Sequence, residues 1–140
     1  MSIFLFSCEK DSDDPMDTEF SPSVRCIINS TDVQTNLIEI VPGNNVFQIN
    51  ANFGDSQMTL QMQNPPSEGS YPLDGTTNDQ IVYSDNFNNV EYISDDGSIT
   101  ISRYDEATNE LEGTFQFHGI EFFGAGEINV IDGQFSAIMP

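Results

Sequence analysis

Phe47-Gln48-Ile49-Asn50-Ala51-Asn52-Phe53 places an apolar side chain at every second position and an amide at each position between. A period of two is the strand period, one face in a core and the other in water. The pattern recurs. Met58, Leu60 and Met62 alternate with Thr59, Gln61 and Gln63, and Ile99-Thr100-Ile101-Ser102-Arg103-Tyr104 and Gly113-Thr114-Phe115-Gln116-Phe117-His118 do the same. Ile128-Asn129-Val130 and Phe135-Ser136-Ala137-Ile138-Met139 complete the series, while helical periodicity is hard to find. Turn signals separate these runs: Gly43-Asn44-Asn45, Gly54-Asp55, Asn64-Pro65-Pro66, Asp105 to Asn109 and Gly124 to Gly126. Asp74-Gly75, Asp96-Gly97 and Asp132-Gly133 are expected to supply the positive φ of tight turns, reversing the chain. Residues 23–140 are therefore predicted to be one all-β domain, an antiparallel β-sandwich or small β-barrel of about 8–10 short strands. Its natural core filling is phenylalanine, of which there are 11.

Charge sets the partners. The 140 residues carry 3 Lys+Arg against 23 Asp+Glu, a formal net charge of −20. Such a chain repels phosphate backbones and anionic headgroups, which excludes nucleic acid and electrostatic docking on a membrane. No apolar run approaches the roughly 20 residues of a spanning helix. Six of the 23 acids and Lys10 precede Phe20. The domain thus keeps two arginines, Arg25 and Arg103, and most of the negative charge.

The amino end, Met1-Ser2-Ile3-Phe4-Leu5-Phe6-Ser7-Cys8, is apolar up to a small residue and a cysteine. Leu5-Phe6-Ser7-Cys8 resembles a bacterial lipobox, which implies cleavage before Cys8 and lipidation of that residue. Several acyl chains at about 0.8 kcal/mol per buried CH2 would anchor the protein stably. Secretory signals carry a positive end and roughly 7–15 apolar residues. Residues 1–7 hold no Lys or Arg and are read as the remnant of such a signal, its start lying upstream or removed. Residues 8–22 read as an acidic, disordered tether, since Glu9-Lys10-Asp11-Ser12-Asp13-Asp14 and the segment from Pro15 to Pro22 cannot bury a core. Lys followed by acids after the lipidated cysteine is similar to the export signal of surface lipoproteins in Bacteroidota. Surface display on the outer membrane is the expectation, with the periplasmic face as the alternative. Cys26, in Val24-Arg25-Cys26-Ile27-Ile28, which reads as a strand, is expected to be a small buried core residue. A Cys8–Cys26 disulfide is the competing reading for an unlipidated protein.

Four segments in order carry a family resemblance: Gly69-Ser70-Tyr71-Pro72-Leu73, Gly97 to Asp105, Leu111-Glu112-Gly113-Thr114-Phe115-Gln116-Phe117, and Ile128 to Phe135. They resemble a family of small, uncharacterised Bacteroidota lipoproteins over about residues 45 to 140. The resemblance implies a lipid anchor and an all-β fold, and implies no activity.

Candidate chemistry is sparse. The one histidine, His118, falls on the face opposite Phe115 and Phe117, with no Gly-x-Ser-x-Gly elbow in the chain. Glu110 and Glu112 share a strand face about 7 Å apart, a separation glycosidases use, but nothing apolar adjoins them. One histidine and one spare cysteine cannot assemble a soft-ligand metal site. Calcium suits the surplus of oxygen ligands, yet Asp95-Asp96-Gly97-Ser98 and Asp85 to Asn89 lack EF-hand spacing. The reading is therefore a monomeric, non-enzymatic binding or accessory module without metal or cofactor, held at the membrane by its lipid. The alternative is a glycan- or nutrient-binding component of an outer-membrane uptake system. Exposed aromatic residues would serve a ligand, and Tyr71, Tyr83 and Tyr92 are the site candidates, beside Phe87 and Phe122-Phe123.

Overall fold

The computed structural model describes residues 20–140; residues 1–7, Cys8 and the tether up to residue 19 lie outside the described residues. Of the described residues 66% are strand and none is helical. Ten strands run in chain order: β1 (Ser23–Ile28), β2 (Thr31–Thr35), β3 (Ile38–Val41), β4 (Val46–Asn52), β5 (Ser56–Gln63), β6 (Gly69–Pro72), β7 (Gln80–Asp85), β8 (Val90–Asp105), β9 (Glu110–Glu121) and β10 (Glu127–Ile138). They form one antiparallel sheet in the spatial order β2-β1-β10-β9-β8-β7-β5-β4-β3, with β6 paired to the second half of β8.

The two outermost strands, β2 and β3, are consecutive in the chain, with only Asn36 and Leu37 between them. The sheet curls until its ends meet at this bent segment. Thr35 fastens the seam. Its hydroxyl donates to the Asn52 carbonyl at 2.6 Å and accepts from the Leu37 amide at 2.9 Å, while the Asn52 amide donates to the Leu37 carbonyl at 3.0 Å. Of the two expected architectures the nearly closed, barrel-like one is found.

Alternation fills the interior. Phe47, Ile49 and Ala51 of β4, Met58, Leu60 and Met62 of β5, and Leu111, Phe115 and Phe117 of β9 are buried. Each full burial of a large apolar side chain contributes about 1.5–3 kcal/mol. The polar partners of the alternation face outward, the reverse of a membrane-spanning barrel, whose outer band is apolar. Cys26 is 0% exposed, and burial pushes its thiol up to about 12, so it sits in the core as expected.

Two of the expected turns are not turns. Asp96-Gly97 lies inside β8 and Asp132-Gly133 inside β10, and β8, β9 and β10 are 16, 12 and 12 residues long rather than short. The β8–β9 register slips between His118 and Gly119, and the β9–β10 register slips between Phe115 and Phe117. Positive φ at Asp132 (54°) falls in the β10 bulge, and Gly97 (122°) lies two residues from Asp95, the unpaired residue of the β8 bulge; such bulges insert one residue and bend a long strand around the barrel. Asp74-Gly75 does lie in a loop, with Gly75 at φ 85°.

Candidate functional site

The three tyrosines expected on the surface are half-buried against the core. Tyr83 of β7 and Tyr92 of β8 are register partners whose rings stack at 6.3 Å and 28°. Tyr71 of β6 pairs instead with Ile99, about 20 Å farther along β8, and its hydroxyl donates to the Ser67 carbonyl. They do not converge on one site. Cys8 lies outside the described residues.

The exposed aromatic residues are elsewhere. Phe122 and Phe123, 54% and 90% exposed, meet edge to face at 4.8 Å in the β9–β10 turn, and Phe87, 80% exposed, occupies the β7–β8 turn. These turns adjoin, since the Phe122 amide donates to the Glu91 carbonyl at 2.8 Å. The chain comes into the barrel at the other end, where the Ser136 hydroxyl holds the Ser21 carbonyl at 3.0 Å. The length of β10 between them is about 30 Å.

The carboxylate pair is not set up to transfer a proton. Arg103 binds Glu110 at 2.8 Å and Glu112 at 3.4 Å, with Asp105 at 3.7 Å, so the acids serve a guanidinium across the β8–β9 hairpin.

His118 has two partners that its own strand could not reveal. Nδ1 is 2.6 Å from Asp95 Oδ1 of β8, and Nε2 is 2.6 Å from Glu127 Oε1 of β10. A carboxylate at each nitrogen favours the imidazolium, the form in which both nitrogens donate and neither is free to deprotonate a nucleophile. Hydrogen bonds to Asp95, then to Glu127, raise its pKa above the ordinary 6.5. A raised folded-state pKa gives stability that is complete below pH 6.5 and lost as pH rises through the folded value. His118→Ala should therefore melt below the parent in mild acid and converge with it in alkali. A difference independent of pH would rule out the charged clasp.

A concavity lies on the outer face where β8, β9, β10 and β1 run side by side. It is a groove of about 740 Å³ lined by Ser98 and Thr100, Thr114 and Gln116, Gln134, and Arg25. The β10 bulge makes its floor. A Cβ on Gly133 would lie 2.5 Å from the Phe115 carbonyl oxygen, so only glycine lets β10 dip this close to β9. Just before the slip Ile131 faces outward, 50% exposed, in phase with Glu127 and Asn129 and opposite its register partner Ile27. A second hollow continues along the face past Ser102 and Ser136, sharing Arg25, Thr114 and Gln134. Charge is sparse here: Arg25 is bound by Asp32 at 2.9 Å, Asp132 is the one carboxylate of the main groove, and Glu112, held by Arg103 at 3.4 Å, is the one carboxylate of its continuation. Among the described residues, no three His, Cys, Asp or Glu side chains converge to hold a metal ion.

The model of a family described as a domain of unknown function, DUF6252, matches residues 30–139. The chain belongs to this family. The DUF6252 span takes in β2 to β10, with the His118 clasp and most of the groove, and begins after β1, which brings Arg25 and Ile27. No curated protein and no solved structure matches the chain. Within this DUF6252 chain, the sequence signal for the groove is the polar half of the alternation, Ser98/Thr100/Ser102, Thr114/Gln116 and Gln134/Ser136, an uncharged set bounded by the carboxylates Glu112 and Asp132. His118 lies on the solvent side, as its strand pattern implies, but its acids come from two other strands, 23 and 9 residues away in the chain.

Proposed function

We propose that the protein is a lipid-anchored, non-enzymatic binding or accessory module of the outer membrane, displayed at the cell surface. The observation that carries the anchor is Leu5-Phe6-Ser7-Cys8 followed at once by the acidic stretch to Glu19, a lipobox-like cysteine and leash ahead of a folded domain. Barrel geometry fits such a leash. The chain comes in at one end, and the exposed aromatic turns lie about 30 Å away at the other, so a tethered barrel would present them outward. The binding reading rests on where the concavities lie. The interior is filled with apolar side chains, His118 and the Glu110/Glu112 pair are tied up in ion pairs, and the polar groove opens on the outer face.

Metabolic labelling with a palmitate analogue tests the anchor. The full-length protein expressed in its own host should take up label and partition with membranes, and Cys8→Ala should abolish both. A parent protein that stays unlabelled sinks the proposal. A surface-accessible protease separates display outside from the periplasmic face, because only the exposed form is shaved from intact cells.

A further inference from the structure

We propose that the outer-face groove binds a neutral polysaccharide strand, an inference that rests on the binding-module reading and names its ligand class. The groove is a nearly uncharged window in a molecule of net charge −20. Anionic polymers are repelled by the field of the whole molecule. Cationic ones meet far denser carboxylates elsewhere, and the groove's own guanidinium is occupied by Asp32. A peptide strand has nothing to pair with, because β8, β9, β10 and β1 are all interior strands whose backbone groups are used on both sides.

What the groove does offer is side-chain hydroxyls and amides. Among the described residues, Ser98, Thr114, Gln116 and Gln134 spend no side-chain hydrogen bond on the protein, whereas Thr100 shares one with Ser70 at 3.1 Å. Hydroxyl and amide groups both donate and accept, which is the requirement a sugar hydroxyl imposes. Ile27 and Ile131 add an apolar strip at the groove's edge for the C–H face of a sugar ring. The continuation toward Ser136 makes the site a channel rather than a cup. Ile131 to Ser136 spans about 16 Å along β10, room for several sugar units.

The test uses the full 140-residue chain in affinity electrophoresis through gels containing dextran, pullulan, xyloglucan or galactomannan, with polygalacturonate as the anionic comparison. At least one neutral polymer should retard the protein and polygalacturonate should not, and the retardation should be insensitive to salt. Thr114→Val combined with Gln134→Leu removes two free hydrogen-bonding groups from an exposed face and should weaken binding by about tenfold. Gln116→Ala provides a second variant should the first melt early, and Asn44→Ala, at an exposed loop position outside the groove, should bind as the parent does. No retardation by any neutral polymer, retention stronger on polygalacturonate, or unchanged binding by both groove variants overturns the assignment. Such a failure leaves the Cys8 labelling result standing, and an unlabelled Cys8 leaves groove binding standing, so the two proposals fail separately.

Discussion

Gly97→Ala is expected to lower the unfolding free energy by about 3 kcal/mol or more. Two penalties meet at this position. Its φ of 122° is one that residues with a side chain rarely adopt, and the added Cβ would sit 2.2 Å from the Gln116 carbonyl oxygen and 2.6 Å from the Phe117 Cα. Both are backbone atoms of β9, an interior strand that cannot yield without shifting its pairing to β10 as well. Strain of this kind costs about 1–3 kcal/mol, and overpacking against fixed atoms a similar amount. Gly75→Ala separates the two, because Gly75 has φ 85° and a Cβ added there would meet nothing within 4 Å. That variant should lose only the strain. Urea unfolding of both, followed by circular dichroism, checks the expectation, and a Gly97→Ala midpoint equal to the parent's refutes it.

Phe47→Ala should be comparably severe, at about 3–5 kcal/mol, because it deletes a fully buried ring and leaves a cavity. Phe47 is 0% exposed and lies opposite Met62 across the β4–β5 ladder, deep inside the barrel. A small domain holds about 5–15 kcal/mol in total, so either substitution removes a large share of the margin. Phe123→Ala is the matched control: the same chemical change at a ring 90% exposed should stay within about 0.5 kcal/mol. If Phe47→Ala and Phe123→Ala melt alike, the barrel is not packed as described.

How far the sequence can be read is evident from these same residues. Phe47 to Phe53 announces a strand correctly because burial of one face writes the alternation directly into neighbouring positions. Asp96-Gly97 and Asp132-Gly133 mislead because a hairpin turn and a bulge ask the same thing of the backbone, a positive φ, and only long-range pairing tells them apart. The same ambiguity reaches the tyrosines. Bulges shift the parity of a strand, so Tyr92, Ile99 and Tyr104 of β8 all reach the core although they do not share one period-two phase. The face of His118 is legible from its own strand, but Asp95 and Glu127 are brought to it by β8 and β10, a matter of register rather than of local pattern. The groove depends on Gly133, whose close approach to β9 no count of polar residues could disclose.

The first strand of the barrel is held by the last. Ser23 is the register partner of Ser136, and their hydroxyls lie 3.4 Å apart across a separation of 113 residues. A chain emerging amino end first, from a ribosome or through a translocation channel, can form the β1–β2 hairpin early but cannot finish its sheet until β10 is out. Until then β1 and β9 both present open edges, the state most prone to pairing with a neighbour. Closure of the sheet thus waits for β10, and loss of residues 127–138 would leave two unpaired edges rather than one shortened strand.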